Sequence, residues 1–233
     1  MKTRVLGPIT LMLGLAAAAL GQGTVVIADP TVTVKESTLS TVEHKLFDRT
    51  ALPRLKAKFP SDACTVEPEF AGVVAGSFTR AGADQRLAFL QVCQTGNGLG
   101  IVGLVLFEEG KVTGLWAADS GWSQDITVLP DINGNKLNEF TLAFGGGMHQ
   151  GQGGVGIDIM EFAAWRPKGL GWFKAEAFTE EDVAAWKVTA KPGAAPAYFK
   201  QKYTQVSENK WRRVGAVTPL KLTKAYGTFE AVK

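Results

Sequence analysis

Apolar and polar residues alternate along most of this 233-residue chain, most regularly after Phe70. Short apolar runs are separated by glycine, asparagine or charged residues, which is typical of antiparallel β-structure. Glu109-Gly110 and Ser207-Glu208-Asn209 have the composition of hairpin turns. The pattern predicts strands near residues 73–78, 87–93, 101–108, 112–117, 126–129, 140–144, 155–162, 171–177, 184–189, 197–204, 210–217 and 220–223.

The segment from residue 37 to residue 59 has a helical pattern instead. Its apolar residues recur at helical spacing and form a stripe of Leu39, Val42, Leu46 and Phe47. Ser40 precedes Glu43 by three residues, as in a capping box, which satisfies the first backbone N–H groups of a helix. Pro53 has no N–H to donate and is expected to divide the segment into two short helices. Before it, residues 29–35 have the pattern of a linker or an edge strand.

An internal similarity groups the strands into two units. Residues 74–79 and the Leu-Ala-Phe of 87–89 parallel residues 129–133 and the Leu-Ala-Phe of 142–144, with an offset of 54 or 55 residues. Each unit would contain about four strands, the size of a propeller blade, but a closed propeller needs at least four blades. A chance similarity between two hairpins is the alternative.

We therefore predict a mainly β fold of antiparallel sheets with a short helical N-terminal segment. The sheets would consist of blade-like hairpin units, arranged as an incomplete propeller, a sandwich or a barrel. Residues 22–62 are the N-terminal extended and helical segment, and residues 63–233 are the β domain. Within that domain, residues 63–182 contain the two blade-like units and residues 183–233 contain basic C-terminal strands.

The first residues have the composition of a targeting signal. Lys2 and Arg4 form a basic start, residues 9–20 are an apolar run, and small residues near Gly21 offer a cleavage site. A second possible site ends at Ala28. We predict that residues 1–21 are a signal peptide, removed on export to the periplasm, the cell envelope or the extracellular space. No transmembrane span is expected after its removal; an uncleaved N-terminal anchor is the alternative.

The predicted export bears on the cysteines. Cys64 and Cys93 are the only two in the chain. In an oxidising compartment two cysteines are expected to pair, so we predict a disulfide between them. Two separate buried thiols are the alternative. A zinc site is not expected, because the chain has only two histidines and they are distant in sequence.

One loop gives a chemical lead. Asp131, Asn133 and Asn135 alternate before the predicted strand 140–144, and Glu139 follows at the ninth place of the loop. Hard cations such as Ca²⁺ prefer several oxygen ligands, some charged and some neutral. Gly134 permits the positive φ that such a tight loop often needs. A polar Asn-Gly turn without any metal is the alternative interpretation.

This loop resembles the calcium loop of FG-GAP/VCBS-type repeats, which form the blades of integrin-like β-propellers in extracellular proteins. The resemblance covers one loop and one strand. It implies that Asp131, Asn133, Asn135 and Glu139, with one backbone carbonyl, hold Ca²⁺. Two places depart from the family pattern, because the chain has Asn135-Lys136 where the family usually has Asp-Gly. Both changes lower the expected affinity for a divalent ion.

Charge is distributed unevenly along the chain. Ten Lys or Arg and only two Glu lie between residues 187 and 233, a net charge of +8. Lys200 and Lys202 are expected on one face of a strand, with Phe199 and Tyr203 on the other. Such a face suits an anionic cell-envelope polymer rather than nucleic acid, or it is simply solvated. Exposed tryptophans in the second half of the chain offer an alternative saccharide surface.

Two further patterns were weighed for catalysis. Residues 151–156 match the G-x-G-x-x-G spacing of dinucleotide-binding proteins, but a strand rather than a helix follows, so we reject that interpretation. We predict a flexible glycine loop over residues 145–156 instead. His149 lies in it, and nothing in the sequence places a nucleophile beside this histidine. No catalytic residue is therefore assigned.

Together these features predict an exported, non-enzymatic envelope or extracellular β module with a weak structural calcium loop. The alternative is a binding module for an anionic polymer or a saccharide, which would use the basic C-terminal strands or exposed tryptophans. A hydrolase with its site around Asp131, Glu139 and His149 ranks last, because no nucleophile–base arrangement is recognisable.

Overall fold

The computed structural model describes residues 23–33, 37–60, 64, 68–96, 98–149, 151–179, 182–208 and 210–233. The predicted signal peptide, residues 1–21, lies outside the described residues, and so does part of the extended segment 29–35. Within the described ranges, no helix combines the length and the apolar run that are needed to cross a membrane.

Strands dominate the structure, and every strand pair is antiparallel. The prediction of a mainly β, antiparallel fold is thereby confirmed. The strands are β1 Val25–Ala28, β2 Glu69–Gly76, β3 Gln85–Gly96, β4 Leu99–Glu108, β5 Lys111–Ser120, β6 Trp122–Val128, β7 Phe140–His149, β8 Gln152–Ala163, β9 Arg166–Thr179, β10 Val183–Lys191, β11 Ala197–Ser207, β12 Lys210–Leu220 and β13 Glu230–Ala231.

The strands form two sheets. The small sheet has the order β13-β5-β4-β3-β2, and the large sheet has the order β12-β11-β10-β9-β8-β7-β6, with β1 paired to β10. Consecutive strands are mostly neighbours because short turns connect them, as the hairpin signals predict. Neither sheet closes on itself in the described part, and the two pack face to face. Of the three predicted arrangements, the sandwich describes this architecture.

Apolar side chains from both sheets fill the space between them. Aromatic rings make edge contacts there: the ring centroids of Phe78 and Phe140 are 5.8 Å apart, and those of Phe89 and Phe144 are 5.5 Å apart. Trp116 of the small sheet meets Phe162 of the large sheet at 5.1 Å. Edge-to-face pairs of this kind add to the free energy gained from burial alone. This layer fixes how the sheets sit on one another.

The helical segment covers the other face of the small sheet. It consists of α1 Thr41–Leu46, a π-helical turn Phe47–Ala51 and α2 Leu52–Lys58. Phe47, Ala51 and Leu55 are buried in a cluster with Leu90 and Val105 of the small sheet. The small sheet is therefore covered on both faces. This explains why β4 is an uninterrupted apolar run rather than an alternating one.

The predicted capping box begins the helix. The Ser40 N–H donates to Glu43 Oε2 at 2.7 Å, and the Glu43 N–H donates to Ser40 Oγ at 3.3 Å. Pro53 was expected to divide the segment into two helices, but the helical backbone continues through it. The π turn precedes it, with the Leu52 N–H bonded to the carbonyl of Phe47, and Pro53 lies in the first turn of α2, where a missing N–H costs little.

The predicted glycine loop over residues 145–156 is wrong. This segment is the hairpin of β7 and β8, with its turn at Gly151 in the left-handed region. The glycines make room for bulky side chains that lie flat on the strands. A Cβ on Gly153 would lie 2.0 Å from the ring of Phe178, and one on Gly156 would lie 2.4 Å from Nε1 of Trp172. Glycine is therefore a packing requirement in these strands.

Near the two ends of the described chain, the predicted strands differ from those in the structure. Residues 25–28 form β1, where the extended pattern had been placed at 29–35, and the two-residue β13 has too short an apolar pattern to be recognised. The predicted strand 220–223 is reduced to the last residue of β12 and one bridge between Thr223 and Trp172. The division of the β domain into two blade-like units stays a prediction.

A disulfide joins Cys64 and Cys93, as predicted from the cysteine count. Their Cα atoms are 5.6 Å apart, and the two residues are separated by 29 positions in the sequence. Both are buried in the cluster beneath the helix. The bridge ties the segment between α2 and β2 to the middle of the small sheet, and it therefore restricts the unfolded chain.

We expect the double variant Cys64→Ala/Cys93→Ala to lose about 3 kcal/mol of unfolding free energy, the value for a cross-link that closes a loop of this size. Urea unfolding followed by tryptophan fluorescence measures the change. Reductant should lower the stability of the parent protein by a similar amount and leave the double variant unaffected. Equal stabilities of the variant and the oxidised parent would contradict the prediction.

Candidate functional site

The loop of residues 129–139 connects β6 to β7 and is anchored by two apolar side chains. Leu129 and Ile132 are buried in the cluster on the outer face of the large sheet. The Leu129 N–H donates to the Glu139 carbonyl at 2.7 Å and closes the loop at its base. The Gly193 N–H donates to the Ile132 carbonyl at 3.0 Å. Two buried side chains and a hydrogen bond from Gly193 therefore hold the loop, so its polar residues have defined positions.

Asp131 organises the outer turn of the loop. Its Oδ1 accepts the N–H groups of Gly134 at 2.7 Å and Asn135 at 3.2 Å, and its Oδ2 accepts the N–H of Lys136 at 2.8 Å. Gly134 has a φ of 85°, as the sequence predicts for this place, and Lys136 has a φ of 67°. A lysine in the left-handed region is strained. It stands at the place where FG-GAP/VCBS-type loops usually have glycine.

The two asparagines connect this turn to the next strand. Their amide oxygens accept N–H groups within the loop, from Asn135 at 3.1 Å and from Leu137 at 2.8 Å. Their amide nitrogens both donate to Oε2 of Glu161 on β8, at 3.0 Å from Asn133 and 3.1 Å from Asn135. Glu161 Oε1 accepts from Lys168 Nζ at 2.9 Å. Glu161 thus joins the predicted set as a further carboxylate.

Sequence reasoning missed Glu161 because its place depends on strand register. Phe140 on β7 is opposite Met160 on β8, so the preceding Glu139 and the following Glu161 come side by side at the end of the hairpin. The register follows from the turn at Gly151, and that turn was assigned to a flexible loop. A hairpin assignment for residues 140–163 would have placed these two residues together.

Glu139 is the most unusual residue of the site. It is completely buried, its Oε2 accepts the Ile132 N–H at 2.8 Å, and its Oε1 has no hydrogen-bond partner within the described part of the chain. Burial raises the pKa of Glu139 to about 7, and the nearby carboxylates of Asp131 and Glu161 add to the rise. Burial and the two glutamates also raise the pKa of Tyr198 to about 12. The site is thus electronegative.

These side chains carry the oxygen donors that hard cations prefer. The loop and the adjacent strand bring together the carboxylates of Asp131, Glu139 and Glu161 and two asparagine amides. In the described structure, Lys168 forms an ion pair with Glu161. No three His, Cys, Asp or Glu side chains of the described residues already converge in a ligating arrangement. Rotation of the Asn133 and Asn135 amides by half a turn would turn their oxygens toward Glu161, but it would break the hydrogen bonds that these oxygens accept from the Asn135 and Leu137 N–H groups. A cation would then pair with the unpartnered Glu139 oxygen.

A neighbouring residue locks the loop to the small sheet. Asn138 accepts the Ser77 N–H on its Oδ1 at 2.8 Å and donates its own backbone N–H to the Ser77 carbonyl at 2.9 Å. Its amide nitrogen donates to the Leu129 carbonyl at 2.8 Å. The loop therefore bridges the two sheets at one end of the sandwich. These bonds connect the loop to Ser77, the residue that follows β2.

The structure does not group the residues that a hydrolase would need. Asp131 and Glu139 lie before the first residue of β7, and His149 is the last residue of the same strand. A strand of this length spans about 30 Å, so the histidine backbone lies far from both carboxylates. The described structure therefore does not bring these three residues together, and the hydrolase alternative stays a prediction.

The tryptophans are spread over several environments. Trp116 is buried between the sheets, and Trp165 is exposed at the turn between β8 and β9. The other four are partly buried: Trp122, Trp172, Trp186 and Trp211. They do not form a single exposed aromatic face in the described structure. Any aromatic ligand surface must therefore be sought at individual residues in grooves.

The basic C-terminal strands form a projecting hairpin of β11 and β12. Lys202, Lys210 and Arg212 are exposed, whereas Lys200 is half-buried. A bulge in β12 changes the register between Lys200 and Lys202. The amide nitrogen of Gln201 fills it by donating to the Val214 carbonyl at 2.7 Å. This irregular edge presents cationic side chains that form no ion pair within the described structure.

No family model, no curated protein and no solved structure matches this chain. The likeness of the loop to FG-GAP/VCBS-type repeats therefore stays a prediction that rests on the loop residues alone.

In a metal-chelating buffer we expect stability to fall as the pH rises from about 4.5 to about 7, because the folded state binds the Glu139 proton more tightly than the unfolded state. The contribution is present below this range and lost above it, and amounts to about 3 kcal/mol. Urea unfolding across this range should show a weaker pH dependence for Glu139→Gln. Glu208→Gln, on the exposed hairpin turn, is the control; equal pH dependence in all three proteins would contradict the assignment.

Proposed function

We propose that the protein is an exported, non-enzymatic β-sandwich module that uses the loop of residues 129–139 to hold a structural calcium ion. The observation that carries the proposal is the completely buried Glu139 carboxylate, one oxygen of which has no partner within the described residues. A buried carboxylate without a countercharge is costly, and a bound cation removes the cost. Asp131 and Glu161 add negative charge beside it.

The residues have distinct roles in this proposal. Glu139 and Asp131 supply charge, and the rotated amides of Asn133 and Asn135 supply neutral oxygens, a mixture that Ca²⁺ accepts. Glu161 becomes a fifth contributor or stays bound to Lys168 Nζ. Asn135 and Lys136 weaken the site relative to a loop with Asp-Gly. The ion would therefore stabilise the bridge between the sheets rather than serve as a high-affinity sensor.

Export is supported by the basic and apolar start of the sequence and by the disulfide between Cys64 and Cys93, which persists in oxidising compartments. Both oxygens of Asp131 accept backbone N–H groups of the loop, three in all, so this carboxylate shapes the loop as well as adding negative charge to it. A carboxylate held in this way shapes the loop and is a poor general base. These features favour a module that binds or supports over one that catalyses.

We expect millimolar Ca²⁺ to raise the melting temperature of the protein above its value in chelator. Saturation to a hundred times Kd adds about 2.7 kcal/mol, which corresponds to a shift of roughly 5–10 °C for a domain of this size. Differential scanning calorimetry measures the shift.

Three variants make this experiment specific. Asp131→Asn and Glu139→Gln should abolish the calcium-dependent shift, whereas Asp119→Asn on the exposed face of β5 should keep it. Mg²⁺ at the same concentration should give a smaller shift, because it dehydrates reluctantly and demands octahedral geometry. The proposal fails if the parent protein melts at the same temperature with and without Ca²⁺.

A second candidate function is the binding of an anionic cell-envelope polymer by the β11–β12 hairpin. The observation that favours it is the group of unpaired cationic side chains on this hairpin in the described structure, of which Lys202, Lys210 and Arg212 are exposed. Exposed cations without partners raise the local concentration of polyanions and accelerate their association. The binding would be strongly salt-dependent.

For this candidate we expect retention on a polyanionic resin such as heparin to decrease with salt and to fall further in Lys202→Glu/Arg212→Glu. The parent protein and Lys111→Glu, which reverses an exposed charge at the start of β5, should be retained alike. Elution of the hairpin variant at the same salt concentration as the Lys111→Glu control would exclude the hairpin as the binding surface.

A further inference from the structure

A groove begins at the seam where edge strand β2 of the small sheet packs against edge strand β6 of the large sheet, and it extends over the large sheet to β1 and β10. It consists of two adjoining cavities with volumes of about 420 Å³ and 650 Å³, which share Ala71 and Gln124 in their walls. Both volumes lie in the range of about 300–1,000 Å³ that is usual for ligand sites. We call the two cavities together the seam groove. It is separate from the loop of residues 129–139.

Asp125 and Gly72 lie close together where the two cavities adjoin. The Asp125 carboxylate lines the smaller cavity, and its Oδ1 lies only 3.6 Å from the Cβ position of Gly72, which lines the larger one. Any side chain at position 72 would also come within 3.0 Å of Ile126. Glycine at this place therefore leaves room between the strands. Because the two cavities share Ala71 and Gln124, one extended ligand can contact both.

Each cavity contributes one tryptophan. Trp186 lines the smaller cavity and Trp122 lines the larger one. The indole Nε1 of Trp122 is buried and has no hydrogen-bond partner within the described residues. Tryptophan combines a flat apolar surface with a donor that usually finds a partner when it is buried. Because this nitrogen is buried, the flat faces of the two indole rings are the parts that a ligand with apolar faces would contact.

The polar lining consists of amides, hydroxyls and carboxylates. Gln94 and Gln124 are exposed, and Glu176 is half-buried; none of the three side chains forms a hydrogen bond with another described residue. Gln91 serves as support, since its Oε1 accepts the Ser123 N–H at 2.8 Å. The free groups include both donors and acceptors, which is the combination that pairs with hydroxyl groups.

Positive charge is missing from the described residues that line the groove. Asp29 at its rim is already paired with Lys187 at 2.6 Å, a contact that lies outside the lining. Burial raises the pKa of both Asp125 and Glu176, and no cation offsets this. An anionic ligand would meet repulsion here, so the groove excludes the polymers that the basic hairpin attracts.

We propose that the seam groove binds a neutral oligosaccharide. The apolar faces of sugar rings would lie on Trp122 and Trp186, and ring hydroxyls would pair with Gln94, Gln124, Asp125 and Glu176. The proposal goes beyond the calcium loop and the basic hairpin, because it assigns a separate site and names its ligand class. It does not depend on the calcium loop, which lies in a different part of the fold.

Sugar hexamers of equal length and different charge test the ligand class. Isothermal titration would use neutral hexamers of glucose, mannose and N-acetylglucosamine, with the cationic hexamer of glucosamine and the anionic hexamer of galacturonic acid for comparison. At least one neutral hexamer should bind more tightly than about 1 mM, and the galacturonic acid hexamer should not bind. The proposal is overturned if no neutral hexamer reaches that affinity or if a charged hexamer binds best.

Variants locate the site. Trp122→Ala and Trp186→Ala should each weaken binding of the neutral hexamer at least tenfold, while Trp165→Ala, which removes a half-exposed tryptophan from the distant β8–β9 turn, leaves Kd unchanged. The surface variants Gln94→Ala and Gln124→Ala should weaken it at least threefold, and they decide the matter if a tryptophan variant fails to fold. Groove variants that bind like the parent would overturn the assignment.

The same titrations separate this proposal from the calcium loop. Asp131→Asn should bind the neutral hexamer with the affinity of the parent protein in chelator, and Gln124→Ala should keep the full calcium-dependent rise in melting temperature. Sugar binding without a calcium shift would retain the groove and refute the loop. A calcium-dependent rise in melting temperature without sugar binding would retain the calcium loop and refute the groove.

Discussion

The small sheet must be covered on both faces, and the rest of the structure follows from this constraint. Its central strand β4 is apolar on both sides. One face is sealed by the large sheet and the other by the helical segment with Phe47 and Leu55. The disulfide fastens the chain beneath the helix, and the capping box at Ser40 fixes where the helix starts. Removal of either cover would expose a continuous apolar surface.

The large sheet has a different character because one end of it is much less covered. Its strands β6 to β8 share the aromatic layer with the small sheet, whereas β11 and β12 project beyond it; β12 is largely exposed and β11 is mostly half-buried. The packed end carries the loop of residues 129–139 and the seam groove. The projecting end carries the basic hairpin. Rigid and accessible parts of the module are therefore separated along a single sheet.

The loop contains polar groups whose burial is energetically unfavourable. The Glu139 carboxylate is buried beside two other carboxylates, and only one of its oxygens accepts a hydrogen bond in the described structure. Lys136 adds backbone strain at its positive φ. Strained and electrostatically unfavourable groups persist where the surrounding structure over-determines them, and they cluster at functional positions. Here the hydrogen bonds of Asn133, Asn135 and Asn138 hold the loop in its conformation.

Hydrophobic patterning was sufficient to predict the fold class, because alternation and short turns specify antiparallel strands locally. The capping box and the cysteine pair were also predicted, since each depends on two residues with unambiguous chemistry. The hairpin of β7 and β8 was not, because its glycines resemble a loop until the rings of Phe178 and Trp172 are known to lie above them. Glu161 and the seam groove depend on register and sheet packing, which are non-local properties.

Strand β13 has a consequence for how the chain folds. It pairs with β5, although almost the whole large sheet lies between them in sequence, and Val232 completes the apolar cluster beneath the helix. The small sheet therefore cannot be finished while the later strands are still being made. Contacts of such long sequence separation slow folding, because the entropy of loop closure must be overcome first. The free edge of β5 and the apolar cluster beneath the helix therefore stay incomplete until the last residues of the chain dock on them.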